Sequence, residues 1–125
     1  MDKTEFRFFR KKLHRTQKQM AQLLGVSLKA VHSYEQGWRT VPPAVERHVL
    51  FLVSLADPAE PMPPCWNLKG CLPEQRKNCP AAELNCGGMC WMVNGTICSG
   101  SDQGSWEGKM AVCRACPVFR AHIPL

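Results

Sequence analysis

All eight cysteines of this 125-residue chain lie between Cys65 and Cys116, and none precedes them. The charge is sorted along the same divide. Residues 1–56 carry ten Lys/Arg (Lys3, Arg7, Arg10, Lys11, Lys12, Arg15, Lys18, Lys29, Arg39, Arg47) against Asp2, Glu5, Glu35 and Glu46, a net +6, whereas residues 57–125 carry six of each sign. A single mixed core gives no reason for such sorting. The chain therefore reads as two small units, one basic and thiol-free, the other neutral and held together by its cysteines. A unit of about 60 residues is marginal on hydrophobic burial alone, so the second unit has a physical need for a staple.

Several classes are excluded by the same reading. No apolar run approaches the roughly 20 residues that span a bilayer. The opening MDKTEFRFFRKK has no apolar h-region and no small-residue cleavage site, so the sequence predicts a cytoplasmic protein without a secretory signal. In a reducing compartment a dense cysteine pattern points to metal binding or redox chemistry rather than to structural disulfides.

The first unit, residues 1–56, reads as all-helical. Glu5 to His14 forms one helix, with Phe6, Phe9 and Leu13 on a shared face. Thr16-Gln17-Lys18-Gln19 matches a capping box, and the helix it opens runs to Leu24 and stops at Gly25. Ser27 caps the next helix, which runs to Gln36 and stops at Gly37. Pro42-Pro43 starts a fourth, continuing from Ala44 to about Ala56. Its stretch Val49-Leu50-Phe51-Leu52-Val53 is too apolar for a solvated helix and closes either the core or a dimer face. Residues 57–64, rich in proline, form a semi-extended linker of about 25 Å at ~3.1 Å per residue. In the second unit, residues 65–125, short strands around Met89–Val93 and a short helix near Trp106–Val112 are expected.

The two helices at 17–24 and 27–36 have the spacing of a helix-turn-helix. Counting from Gln17, the small Ala21 falls where two helices cross, Gly25 where the chain turns and Val31 where the second helix packs back. Met20, Leu24, Val26, Val31 and Tyr34 supply the buried face, and Tyr34, Val31 and Trp38 read as packing residues.

The run TQKQMAQLLGVSLKAVHSYEQGWRTVPP resembles the Cro/phage-repressor (Xre-type) helix-turn-helix family, including Ser27, Val31, Tyr34, Glu35 and Gly37 of the recognition segment. The likeness covers roughly residues 6–56 and implies an all-α, lambda-repressor-like domain. In that family's docking mode the second helix enters the major groove with its N-terminal residues toward base edges. This would place Ser27, Leu28, Lys29, His32 and Ser33 as readers, with Gln17 near a phosphate and Arg39 beside the backbone. Leu28 departs from the polar residues common at its position; it can touch a thymine methyl but cannot hydrogen-bond a base edge. A solvated face is the plainer alternative for Lys29, Arg39 and His32. The Lys/Arg density from Arg7 to Lys18 fits phosphate attraction.

In the second unit, Cys113-Arg114-Ala115-Cys116 has the spacing with which two thiolates of one turn reach a common metal, and Cys79 and Cys116 are followed by proline, as in ferredoxin-type cluster loops. Two Cys-Trp steps, Cys65-Trp66 and Cys90-Trp91, either shield a cluster or supply the core of a core-poor domain. A zinc ribbon would show two CxxC pairs, and only one is present.

These residues, with Cys71, Ala81, Gly95-Thr96, Cys98, Gly100 and Lys109, resemble the "two-CW" cysteine-rich domain appended to bacterial signalling proteins. The resemblance implies metal or cluster binding in signalling, with Cys65, Cys71, Cys79, Cys90, Cys98, Cys113 and Cys116 as ligands. Cys86 matches no family cysteine and is the weakest candidate of the eight. An iron–sulfur cluster of the [4Fe–4S] type leads on chemistry, with zinc and disulfides as alternatives.

The expected protein is thus a small two-domain chain, an all-α helix-turn-helix domain followed by an irregular, metal- or cluster-organised domain. Its expected function is that of a transcription regulator that binds double-stranded DNA, as a homodimer because one such domain reads few bases, and senses redox state, oxygen or iron through the cluster. The alternative keeps DNA binding and makes the cysteine unit a structural zinc or cluster module for dimerisation or partner docking. No Ser/His/Asp or Cys/His pairing, phosphate-cradling loop or carboxylate pair points to an enzyme or to a small-molecule substrate.

Overall fold

The computed structural model describes residues 1–56, 73–84, 89–93 and 104–123. The chain divides into two compact units, Met1–Ala56 and Asp57–Leu125. Residues 57–64 lie outside the described residues, as do Cys65, Cys71, Cys86 and Cys98.

The first unit is built from α1 (Lys3–Lys12), α2 (Gln17–Leu24), α3 (Leu28–Gln36) and α4 (Pro43–Ala56). Helix α1 starts two residues earlier than the apolar spacing indicates, because the Asp2 carboxylate accepts a hydrogen bond from the Glu5 amide at 2.8 Å. It also ends before His14, which takes a left-handed conformation at φ 55° and breaks the helical run. The boundaries of α2 and α3 follow their caps. Thr16 and Gln19 exchange both bonds of a capping box, and the Ser27 hydroxyl accepts from Ala30 N at 3.0 Å. Gly25 and Gly37 close the two helices at φ 66° and 78°, where a Cβ would be strained.

Helix α3 packs against both α1 and α2, and α4 lies across α1 and α2. Phe6, Phe9, Met20, Val31, Val49, Leu50 and Val53 have no exposed surface and form the core. Each such side chain contributes about 1.5–3 kcal/mol of burial. The apolar run of α4 thereby closes this core: Val49, Leu50 and Val53 face inward, while Leu55 is exposed. Phe6 meets Tyr34 edge-on, with ring centroids 5.5 Å apart.

One polar group is buried with them. Glu35, on the inward side of α3, has 1% of its side chain exposed. Arg10 forks onto it, Nε donating to Oε2 at 2.8 Å and Nη2 to Oε1 at 2.9 Å. Arg7 donates from Nε to Oε1 at 3.3 Å and from Nη2 to the Glu35 carbonyl at 3.4 Å. A second buried carboxylate, Glu46, pairs with the Met1 ammonium at 3.1 Å.

The described residues of the second unit are also helical, with no strand among them: α5 (Pro73–Asn78), α6 (Pro80–Glu83), a 3₁₀ turn (Cys90–Met92), α7 (Trp106–Arg114) and α8 (Pro117–His122). The strands expected around Met89–Val93 are therefore replaced by the 3₁₀ turn, closed by bonds from Met92 N to Met89 O and from Val93 N to Cys90 O. Among the described residues the segment has no strand to pair with; it packs on α7 and buries Trp91. Trp91 meets Phe119 edge-on at 6.4 Å, and Trp106, Met110, Val118 and Ile123 complete this core.

Arg10→Ala would leave Glu35 buried beside its weaker partner alone, at an expected cost of about 3 kcal/mol, and joining it to Glu35→Leu should recover most of that loss. Native-state amide exchange across Val31–Gln36 measures both. Exchange unaltered by Arg10→Ala would show that the ion pair does not anchor α3.

Candidate nucleic-acid interface

Helix α3 divides its residues between two tasks. Ala30, Val31, Ser33, Tyr34 and Glu35 are buried, while Leu28, Lys29, His32 and Gln36 are exposed. The outward residues form a stripe, because positions four apart in a helix stack on one face. Its width is limited because α3 is covered on two sides, by α1 and by α2.

Of the residues expected at DNA, Ser27, Leu28, Lys29, His32 and Arg39 are exposed and Gln17 is half-buried. The Ser27 hydroxyl already serves as the helix cap. Leu28 leads the stripe with half its surface exposed, 50%. Ser33 is different: at 5% exposure it faces the core and is withdrawn from the reading set. Two residues missed by sequence reasoning join the surface. Gln36 continues the Leu28–His32 stripe by one turn, a position the i, i+4 spacing could have identified. Trp38, expected to pack, is 72% exposed. The left-handed Gly37 turns the chain out of the helix before Trp38 can reach the core.

The electrostatics also shift. Arg7 and Arg10, counted in sequence among residues that attract phosphate, are committed to Glu35. Exposed Lys3, Lys11, Lys12, Arg15, Lys18, Lys29 and Arg39 remain as the unit's phosphate-seeking charge. Among the described residues no helix is long and apolar enough to cross a membrane.

In the second unit Cys90, Cys113 and Cys116 are buried and Cys79 is half-buried; no disulfide joins these four. Cys113 and Cys116 sit on one tight turn, with Cys116 N donating to Cys113 O at 2.8 Å. The Cys-Pro steps have a local role that their cluster-loop reading left out. Cys79 and Cys116 are the N-caps of α6 and α8, with proline in each first turn, and neither side chain makes a capping bond. Among the described residues no three His, Cys, Asp or Glu side chains converge in a group that could hold a metal.

Two further groups bear on what this donor set could hold. The Trp91 indole Nε1 is buried without an acceptor, in a residue with no exposed surface, a state that costs about 1–3 kcal/mol. Lys109 is 2% exposed and lies one turn before Cys113 on α7.

Residues 6–46 match a helix-turn-helix family model, of the Cro/C1 type. The match covers α1 residues from Phe6 through the start of α4 and does not extend to the cysteine-rich residues. No curated protein and no solved structure matches the chain. The first unit thus carries a helix-turn-helix, and the match supports a DNA-binding transcription regulator with double-stranded DNA as its partner.

Lys29→Ala should weaken DNA binding and relax preference at one or two base pairs, whereas Arg39→Ala should weaken all sequences alike and reduce the salt slope by about 1. Titrations against matched and scrambled duplexes at several salt concentrations separate the two. Binding and preference both untouched by Lys29→Ala would mean that α3 is not the reading helix.

Proposed function

We propose that this protein is a transcription regulator that docks α3 in the major groove of a two-fold operator as a homodimer and adjusts its operator affinity through a cofactor bound by the cysteine unit. The observation that carries the DNA reading is the exposed stripe of Leu28, Lys29, His32 and Gln36 on α3, a helix clamped from behind by the Arg10–Glu35 pair. Lys29 and His32 read base edges, Leu28 touches thymine methyls, the Ser27 end of the helix approaches the groove floor, and Gln17 and Arg39 hold phosphates. No catalytic step is assigned to any residue.

The cofactor we propose is a [4Fe–4S] cluster held by cysteines drawn from Cys65, Cys71, Cys79, Cys90, Cys98, Cys113 and Cys116, with redox state, oxygen or iron as the signal. The burial of Cys90, Cys113 and Cys116 supports this reading, as does the Trp91 N–H with no acceptor, since hydrogen bonds to sulfur are a means of tuning such centres. The cluster would supply lability: a core this small does not hold without its staple, so cofactor loss unfolds the unit and releases whatever protomer contact it makes. A second reading, a structural zinc module used for dimerisation or partner docking, is favoured by the Cys113/Cys116 turn, which suits zinc equally well.

Visible absorption together with iron, sulfide and zinc analysis of anaerobically purified protein identifies the cofactor. Operator affinity is then compared for holo protein, stripped protein and the Cys113→Ala/Cys116→Ala double variant. The regulator reading expects at least tenfold weaker binding in the last two, with sedimentation showing dimers of the holo form. Equal affinities, with the stripped unit shown to be unfolded, would leave the structural-module reading in its place.

A further inference from the structure

We infer that Trp38 is a DNA-contact residue that covers the sugar–phosphate backbone at the C-terminal end of α3 and fixes the imidazole of His32 against the groove. The inference rests on the reading that α3 enters the groove, and adds to it a residue class, an apolar backbone contact, that charge and spacing do not disclose.

Among the exposed large apolar residues that the structure describes, Trp38 has the greatest exposure, 72%. It is not on a loose end. Its amide donates to the Ser33 carbonyl at 2.9 Å, and the Arg39 amide donates to the same oxygen at 3.4 Å. The preceding Gly37 holds the left-handed turn at φ 78°. The indole therefore projects from a backbone position set by α3 itself. On one side it meets the His32 ring edge-on, with centroids 5.4 Å apart at 78°. His32 in turn lies one turn along the exposed stripe from Leu28. An aromatic at the end of that stripe is followed directly in sequence by the exposed cation Arg39.

That setting selects the occupant. An exposed tryptophan next to an exposed arginine complements a surface that alternates anionic and apolar patches, which is what phosphates and deoxyribose faces present along a duplex strand. The indole plane can lie on a sugar while its N–H donates to a phosphate oxygen. A second protomer would offer no such reason for the adjacent Arg39. The contact is sequence-independent, but its effect on His32 is not, because an imidazole braced by the indole loses rotamer freedom before it meets a base.

The test uses the full-length holo protein and a duplex obtained by selection from a random library, with wild type, Trp38→Ala, Trp38→Phe, His32→Ala and the double Trp38→Ala/His32→Ala compared by fluorescence anisotropy of the labelled duplex. Circular dichroism melts confirm that each variant folds. Trp38→Ala is expected to bind both selected and random duplex about tenfold more weakly with little change in salt slope, and Trp38→Phe to restore most of the loss. His32→Ala should cost less base preference when Trp38 is already absent. The wild-type-minus-Trp38→Phe emission should become protected from iodide when duplex is added. Undiminished binding by Trp38→Ala overturns the proposal while leaving the recognition helix in place. Loss of dimers in sedimentation, with protomer affinity for a half-site intact, overturns it in favour of a protein contact. A wild type that prefers no duplex, and that Lys29→Ala and Arg39→Ala do not weaken, fails the underlying DNA reading as well.

Discussion

A carboxylate buried on the inward side of a helix is unstable unless something answers its charge, and in this chain two arginines from α1 do so for Glu35 on α3. Arg10 meets both oxygens of Glu35 in a fork, and Arg7 adds a longer contact to the same carboxylate and to its carbonyl. Removing water from a charge is costly, and only good geometry offsets it. The arrangement therefore tolerates little rotation or sliding of α3 on α1. The attitude of Leu28, Lys29 and His32 toward solvent follows from this clamp as much as from the apolar core. The N-terminal helix, which contributes nothing to the helix-turn-helix spacing, thus governs how the exposed face of α3 is presented.

Much of the first unit was legible because its instructions are local. Thr16 with Gln19, Gly25, Ser27 and Gly37 each specify a start or a stop through their own backbone chemistry, and the observed helices α2 and α3 respect all of them. The end of α1 was not legible, since His14 adopts a positive φ without the glycine or asparagine that usually announces one. The ion pairs on Glu35 were hidden for another reason. They join residues 25 and 28 positions apart, and a run of arginines looks the same whether it faces phosphate or a carboxylate in the core. Ser33 and Trp38 were exchanged in the reading of the sequence, polar taken for exposed and aromatic for buried. The two-sided packing of α3 and the turn at Gly37 reverse both.

The cysteine unit shows a different limit. Periodicity finds little there, yet α5, α6 and α8 each begin at a proline, Pro73, Pro80 and Pro117, a start signal available in the sequence and overlooked because cysteine spacing dominated the reading. Where sulfur atoms meet is a matter of tertiary geometry that spacing alone does not reveal. The unpartnered indole N–H of Trp91 and the burial of Lys109 could not have been read from sequence either.

The division of labour along α3 has a bearing on how such a regulator diversifies. Ala30, Val31, Tyr34 and Glu35 are buried and hold the helix, while Leu28, Lys29, His32 and Gln36 are exposed. Random substitution at the latter four is therefore nearly neutral for folding, and under the function proposed above a descendant copy of the gene can drift to a new operator without first passing through an unstable intermediate. Glu35 and Arg10 cannot drift that way, since either change alone strands a charge, so the pair should persist or be lost together across descendants whose reading residues have nothing in common.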